Sequence, residues 1–508
     1  MTSLALAVPK AADRTLAQAL VIAGAILASM LFIFYSAVIA VALPQISGNT
    51  GASADEGVWI LDAFLLASVI AIPVAPWLQT RFGRRRIVLI ALVGFGVSTL
   101  LCGLADSPAE LMTLRFAQGA FGGLLAPLSQ AILRDSLPSS QLHFGQMLFG
   151  ISVGVGGSLA PYFGGLIADD LSWQSIFFVG IPPIAAATIV FALLLKDHAA
   201  QRRVPFDLVG LTLLVVFLSA LLDVLVEGER WDWFDDVHNV EAAILAVTGC
   251  IAFIVWELRS AHPVVDLRVL QRGNVAAGSF LAAAFGFGLY GLYVIEPDST
   301  QVTLGLTATL SGVLVMVQNL AGTAVMPPIS SLLSQARVTP RTVLAAGFAV
   351  LGAGCFMIAN ATATTADFGT FIVPMLVAGI GSMLVFTPLP AVVIGGLRSP
   401  ADVATAAAFF NVSRILGGAL GIAMIGTVTD QRFAYHQSVL AASVTLARPV
   451  VAAVAREPGK VMQLAGLVAA QSQALAEADA FRVIGVIAFL SLPFVLCLKR
   501  PRAEAHGA

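Results

Sequence analysis

The sequence predicts an all-α integral membrane protein, with fourteen spanning helices arranged as two six-helix bundles and two linker helices inserted between them. Three observations predict it: a composition unsuited to water, fourteen apolar runs of spanning length, and motifs that recur roughly 260 residues apart.

Of 508 residues, 58% are apolar and 11% charged, with a mean hydropathy of +0.92. An ordinary globular chain carries roughly 25% charged residues. The shortfall runs along almost the whole length, which excludes a cytosolic enzyme and a disordered regulator. A net charge of -2 also withholds the basic surface that nucleic acid requires. The lipid bilayer is therefore the first partner. Cys102, Cys250, Cys355 and Cys497 lie far apart inside apolar runs, so neither a disulfide framework nor a metal site is indicated, and no cofactor is implied.

A helix needs about 20 apolar residues to cross the hydrocarbon core, and continuous hydrophobicity of this kind permits only helices. The runs fall at 17-43, 57-78, 87-105, 109-133, 142-168, 173-196, 205-226, 238-258, 273-296, 304-333, 339-360, 367-396, 402-429 and 480-499. The first follows Lys10 and Arg14, exceeds a signal-peptide core and lacks a small-residue cleavage site, so it reads as a retained span.

An even count places both termini on one side. Nineteen Lys and Arg in the tails and one set of loops, Arg81, Arg84, Arg85, Arg86 and Arg134 among them, oppose a single Arg230, while Asp55, Asp106, Asp169, Asp170 and Asp235 gather on the other face. Short loops obey the positive-inside bias, so both termini are expected in the cytoplasm. The expected organisation is a cytoplasmic tail at 1-16, a six-helix bundle at 17-196, linker helices at 205-258 and a second bundle at 273-499. An extracytoplasmic loop at 430-480, with two helical stretches broken at Pro458-Gly459, lies between the last two spans.

The duplication is visible in Leu124-Leu125-Ala126-Pro127-Leu128, which recurs as Val385-Phe386-Thr387-Pro388-Leu389, and in Gly156-Gly157, which recurs as Gly417-Gly418. Two matched bundles around a central cavity imply alternating access, with substrate held near the membrane midplane.

Several motifs then carry a family resemblance. Arg81-Phe82-Gly83-Arg84-Arg85-Arg86 joins spans two and three in a tight basic turn, Leu111-x-x-x-Arg115-x-x-Gln118-Gly119 lies in span four, and Ala160-Pro161-x-x-Gly164-Gly165 lies in span five. In this order they resemble the signature of the major facilitator superfamily, the last being its antiporter-associated motif. Pro76 and Thr80 stand where the family has Gly and Asp, so the usual ionic latch loses its carboxylate. With Asp232-Trp233-Phe234, His262-Pro263-Val264-Val265-Asp266-Leu267-Arg268 and Asn411-x-x-Arg414-x-x-Gly417-Gly418, the chain looks like the fourteen-span drug:proton antiporters of the EmrB/QacA type over roughly residues 17-500. The resemblance implies a major facilitator fold in a bacterial inner membrane, export of small amphiphilic or cationic compounds in exchange for protons, and a periplasmic adaptor at the 430-480 hairpin. That hairpin reads equally as a solvated one with no partner.

Charges inside spans cost about 2.5-3.5 kcal/mol on insertion scales and demand a reason. Arg115 would bias a neighbouring carboxylate or water by Coulomb attraction, or sit in a satisfied interhelical pair. The resemblance places a proton-carrying acid in span one where this chain has Tyr35. Asp62 in span two is the nearest substitute, with Asp223 and Glu227 near the outer end of span seven behind it; Asp62 is otherwise a water-exposed helix-end residue. The expected substrate cavity draws on Tyr35, Gln118, Tyr290, Tyr293, Glu296, Gln318, Asn319, Asn411 and Arg414, residues that core packing also accommodates. Small residues at Gly156, Gly157, Gly164 and Gly165 let helices approach and pivot. Gly150-x-Ser152-x-Gly154 and Gly286-x-Gly288-x-x-Gly291 mimic enzyme motifs but lack the strand-turn-helix setting these require. No enzymatic activity is expected. The competing readings are a uniporter or uptake carrier for one metabolite, and a non-transporting sensor or assembly partner.

Overall fold

The computed structural model describes every residue except 1-10, 138-141, 197-204, 229-230, 232, 272, 336, 364-366, 395-396, 398-399, 446-450, 452-459 and 499-508. Among the described residues fourteen helical spans are long and apolar enough to cross a bilayer. Their bounds are Leu16–Thr50, Glu56–Phe82, Arg84–Cys102, Pro108–Ser136, Leu148–Asp170, Ser175–Leu194, Leu208–Glu227, Val237–Arg259, Asn274–Thr303, Ala308–Leu333, Pro340–Ala361, Phe368–Ile394, Thr405–Ser443 and Lys460–Cys497. They are numbered one to fourteen in that order.

Local chemistry sets many of these starts. Ser53 and Glu56 close a capping box at span two, and Ser107 caps span four ahead of Pro108. Asp207, Asp236, Thr307, Thr339 and Asp367 accept backbone N–H bonds at the starts of spans seven, eight, ten, eleven and twelve. The outer surface is apolar, as lipid contact requires. Span three turns Ile90, Val93, Val97 and Leu101 outward and buries Val88, Ala91, Leu92 and Phe95 on its other side.

The helices pair in two matching sets. Span one packs on five, two on four, and three on four and six; span nine packs on thirteen, ten on twelve, and eleven on twelve and fourteen. The match reaches single atoms. A Cβ on Gly156 would stand 2.7 Å from the Met30 carbonyl oxygen, and one on Gly417 would collide with that of Ala283. Gly119 likewise admits the Phe64 carbonyl, and Gly379 that of Gln318. Spans one and nine thus correspond at an offset of 253 residues, spans five and thirteen at 261. The bundles meet where span five packs on ten and span two on thirteen, and linker span seven lies against two and thirteen beside its partner, span eight.

The last two spans are longer than their apolar stretches. Span thirteen continues to Ser443 and the helix ending in span fourteen starts at Lys460, so the described parts of 430-480 are helical arms continuous with the spans. The proposed break at Pro458-Gly459 lies outside the described residues. The cause is composition: residues 460-480 are rich in Ala, Gln and Leu, strong helix formers that extend a helix past the point where hydrophobicity ends. At about 1.5 Å per residue, the 39 residues of span thirteen reach roughly 58 Å, well beyond a hydrocarbon core of about 30 Å.

Candidate functional site

A small cavity of about 30 Å³, room for one or two water molecules, lies between the bundles. Its walls are Ser29, Phe32, Ile33, Ile72, Ala126, Phe149 and Val153 from the first bundle and Phe386, Asn411, Arg414 and Ile415 from the second. The internal repeat runs through it: Arg414 is the counterpart of Val153 at the 261-residue offset, so one wall carries a guanidinium where the other carries an isopropyl group. Arg414 donates from Nη1 to the Tyr290 hydroxyl at 3.3 Å and lies 6.0 Å from the centre of that ring. Its Nε is buried without a hydrogen-bond partner.

Of the other residues expected in the cavity, Tyr290 and Tyr293 form an edge-on aromatic pair behind Arg414. Asn319 reaches across from span ten to the Gly157 carbonyl at 3.2 Å. Gln318 and Glu296 are buried next to one another, with both Glu296 oxygens lacking a hydrogen bond of normal geometry. Of the nine residues expected in the cavity, Asn411 and Arg414 belong to its lining, whereas Tyr290, Tyr293, Glu296, Gln318, Asn319, Tyr35 and Gln118 do not. Tyr35 and Gln118 sit inside the first bundle, where each is hydrogen-bonded to local partners.

That partner network centres on Arg115, which is fully buried. Its Nε donates to the Ile60 carbonyl at 3.3 Å, and its Nη1 to the Tyr35 carbonyl at 3.1 Å and to Gln118 Oε1 at 2.7 Å. Gln118 passes the chain on to Thr99 Oγ1 at 2.8 Å, and the guanidinium lies 4.3 Å from the centre of the Phe64 ring. Among the described residues no carboxylate pairs with Arg115. Tyr35, standing where the resemblance expects an acid, instead donates its hydroxyl to the Ile176 and Phe177 carbonyls at 3.1 and 3.3 Å. It ties span one to span six.

Asp62 is 0% exposed, which removes the alternative of a water-exposed helix end. Neither of its oxygens has a hydrogen-bond partner, and it forms no ion pair with Arg115. One turn earlier, Trp59 donates its indole N–H to Glu227 at 2.9 Å, joining span two to the linker. Asp223 pairs with His238 at 3.2 Å within the linker itself.

In the basic turn, Gly83 has φ +88°, a left-handed backbone that glycine adopts without strain and that lets span three start directly after span two. Arg84 pairs with Asp135 at the end of span four and donates to Gln79 and to the Ala131 carbonyl. Asp135 thus supplies a carboxylate in a turn where Thr80 replaces the family's Asp. Sequence reasoning missed it, although its position beside Arg134 at the end of a span was a visible cue. Arg85 donates to the Ala192 carbonyl, and Arg81 lies over Phe82.

The antiporter-type motif lies on the bundle interface. A side chain at Gly165 would collide with the Ala308 carbonyl, and one at Gly312 with that of Pro161. Next to this seam Asp169 accepts from the Thr309 backbone and hydroxyl at 2.7 and 2.6 Å and from Gln45 at 3.1 Å, while Gln301 donates to the Val41 carbonyl at 2.9 Å. Gly164 instead packs on Val38, and Gly418 on the Tyr290 ring.

The family model described as Major Facilitator Superfamily matches residues 25-422. The chain belongs to the major facilitator superfamily. It is 30% identical over 407 residues to the fatty acid resistance protein FarB of Neisseria gonorrhoeae, covering 80% of this chain and 79% of that one. To the multidrug export protein EmrB of Escherichia coli K12 it is 29% identical over 452 residues, covering 88% and 86%. Among solved structures, a bacterial homologue of the lysosomal transporter Spinster in an inward-facing, unoccupied conformation superposes with a TM-score of 0.64 at 15% identity, over 97% of this chain and all of that one. A D-xylose-proton symporter superposes at 0.63 and 14% identity over 95% and 98%. These likenesses establish the fold. This superfamily member is a multi-pass membrane protein and a secondary transporter of small molecules, not an enzyme, and it resembles the EmrB/QacA-type multidrug antiporters.

Proposed function

We propose that the protein exports small amphiphilic compounds across a bacterial inner membrane in exchange for protons, by alternating access of the cavity between its bundles. The observation that carries this reading is Asp62, a carboxyl group sealed inside the first bundle with neither oxygen hydrogen-bonded. An isolated charge in such a place costs several kcal/mol, so ionisation has to accompany a change of surroundings that brings water or a partner. A proton whose release favours one conformation is what couples two fluxes. The Trp59–Glu227 bond one turn away joins the same helix to the linker, which would carry that change outward.

Sidedness follows from the charge bias. With the basic face in the cytoplasm and both termini there, the seam of Gly165, Ala308, Asp169 and Thr309 closes the outer side, leaving the cavity to load from within. The export and resistance proteins among the relatives support the same direction. The helical arms of 430-443 and 460-480, with Tyr435, Met462 and Leu467 exposed, would offer a periplasmic adaptor its surface.

Substrate-induced proton release from purified protein, compared between wild type and Asp62→Asn, tests the reading. Release in wild type and its loss in the variant, with substrate still bound, is expected. Unchanged release in the variant would remove Asp62 from the mechanism, and accumulation in inside-out vesicles without a proton gradient would favour the uniporter.

A further inference from the structure

Among the described residues two carboxylates are buried with neither oxygen hydrogen-bonded: Asp62 in the first bundle and Glu296 in the second. They are not repeat counterparts. The offsets that relate the bundles set Leu43 against Glu296 and Met316 against Asp62, so each bundle carries its own acid where the other is apolar. Glu296 lies beside Gln318 of span ten, whose Oε1 is likewise buried and unpartnered. Three acceptor oxygens are thus sealed together with no donor bonded to any of them. An ionised carboxylate leaves all three in that state, whereas a neutral carboxyl supplies the O–H they lack.

Glu296 also stands between contacts that hold the bundles together. One turn inward the Tyr293 hydroxyl reaches span five, where a Cβ on Gly157 would be 3.4 Å from it, and Asn319, next to Gln318, donates to the Gly157 carbonyl at 3.2 Å. Outward, span nine ends in the π-helical turn Ser299–Thr303, from which Gln301 donates to the Val41 carbonyl of span one at 2.9 Å. Such turns concentrate at functional sites. Parting of the outer seam breaks both crossings and admits water to the carboxyl. The groups facing Glu296 are Tyr293 on its own helix, Gln318 on span ten and the Cys355 thiol on span eleven. Of the charged groups on the helices packed against span nine, Arg414 is bonded to Tyr290, and Glu477 accepts from Thr303 and Gln473 with Asp298 nearby.

From this we propose that Glu296 is a second proton carrier, protonated in this conformation with its O–H given to Gln318 Oε1, so that each transport cycle moves two protons, one in each bundle. The inference rests on the exchange reading above and adds a coupling residue to it. The O–H bond forms with a proton from outer water while the seam is open, and breaks to water on the cytoplasmic side in the opposite facing.

Infrared difference spectra of the full-length protein in phosphatidylcholine nanodiscs, wild type minus variant, test the proposal without a substrate, because a protonated carboxyl has its own C=O band. Glu296→Gln is expected to remove one such band and Asp62→Asn another. Gln318→Leu should keep the Glu296 band and displace it, the mark of a lost hydrogen bond that a merely structural role would not give. A Glu296→Gln spectrum with no band missing overturns the proposal, and so does a Glu296 band governed by sodium concentration instead of pH, which would make this a metal-ion site. In liposomes, protons counted per ethidium exported should fall about twofold in Glu296→Gln, one of two carriers being lost; an unchanged ratio also overturns it. The two readings fail separately: loss of a band in Glu296→Gln but none in Asp62→Asn would sink Asp62 as the carrier and leave Glu296, and the reverse pattern would spare Asp62 alone.

Discussion

Arg115 gives a hydrogen from Nη1 to Gln118 at 2.7 Å, one turn along the same helix, and the pair binds four spans without any carboxylate. The guanidinium is here a connector. Its planar fork reaches the Tyr35 and Ile60 carbonyls and the Gln118 amide together, which a lysine ammonium cannot do.

Arg115→Lys is therefore expected to lower stability by about 3 kcal/mol, the loss of one or two charge-assisted bonds at about 1.5–3 kcal/mol each. Thermal unfolding of the detergent-solubilised protein measures it. An unchanged Tm would mean the fork is not what joins spans one, two and four.

Gly165 decides whether spans five and ten can touch, since any side chain there meets the Ala308 carbonyl. Gly165→Val should hold the seam open and slow transport by about tenfold, equivalent to roughly 1.4 kcal/mol on the conformational barrier. Spin labels at the exposed Leu171 and Val302 would report a lengthened distance. A distance distribution identical to wild type would contradict the role of this contact.

The Trp59–Glu227 bond predicts a coupled pair. Trp59→Phe should cost about 1.5 kcal/mol and Glu227→Gln less, because the amide oxygen still accepts. The double variant should then lose less than the two singles together, which a double-mutant cycle of melting curves would detect. Strict additivity would indicate that the linker is not held through this bond.

Asp367 makes a pH prediction outside the spans. The Thr370 hydroxyl and backbone N–H bind its carboxylate and hold it below the usual value of 3.8. A group depressed on folding stabilises above its unfolded value and loses that effect as pH falls through the folded one. Asp367→Ala should thus lower Tm equally at pH 7 and pH 5, with the gap closing below about pH 3.8. A gap that widened under acid would reverse the sign.

Much of the architecture was legible before any coordinates. Bilayer thickness fixes the length of an apolar run, so fourteen runs yielded fourteen spans, and the helical stretches read in the Ala- and Gln-rich segment prove continuous with the last two of them. The duplication showed in Gly156 and Gly417 because a helix crossing at carbonyl distance tolerates only glycine, and such positions leave a residue-level trace.

The sequence alone determined the membrane class, the number of spans, the repeat and the set of polar residues inside the bilayer, since each follows from composition or spacing along the chain. Tertiary structure alone decided which of those residues meet. That Tyr35 turns to span six, that Asp135 serves Arg84, and that Arg414 and Val153 line one cavity are relations between residues tens to hundreds of positions apart. A spanning helix fixes the angle at which a side chain leaves its axis, but the partner it finds there is set by how the bundles pack.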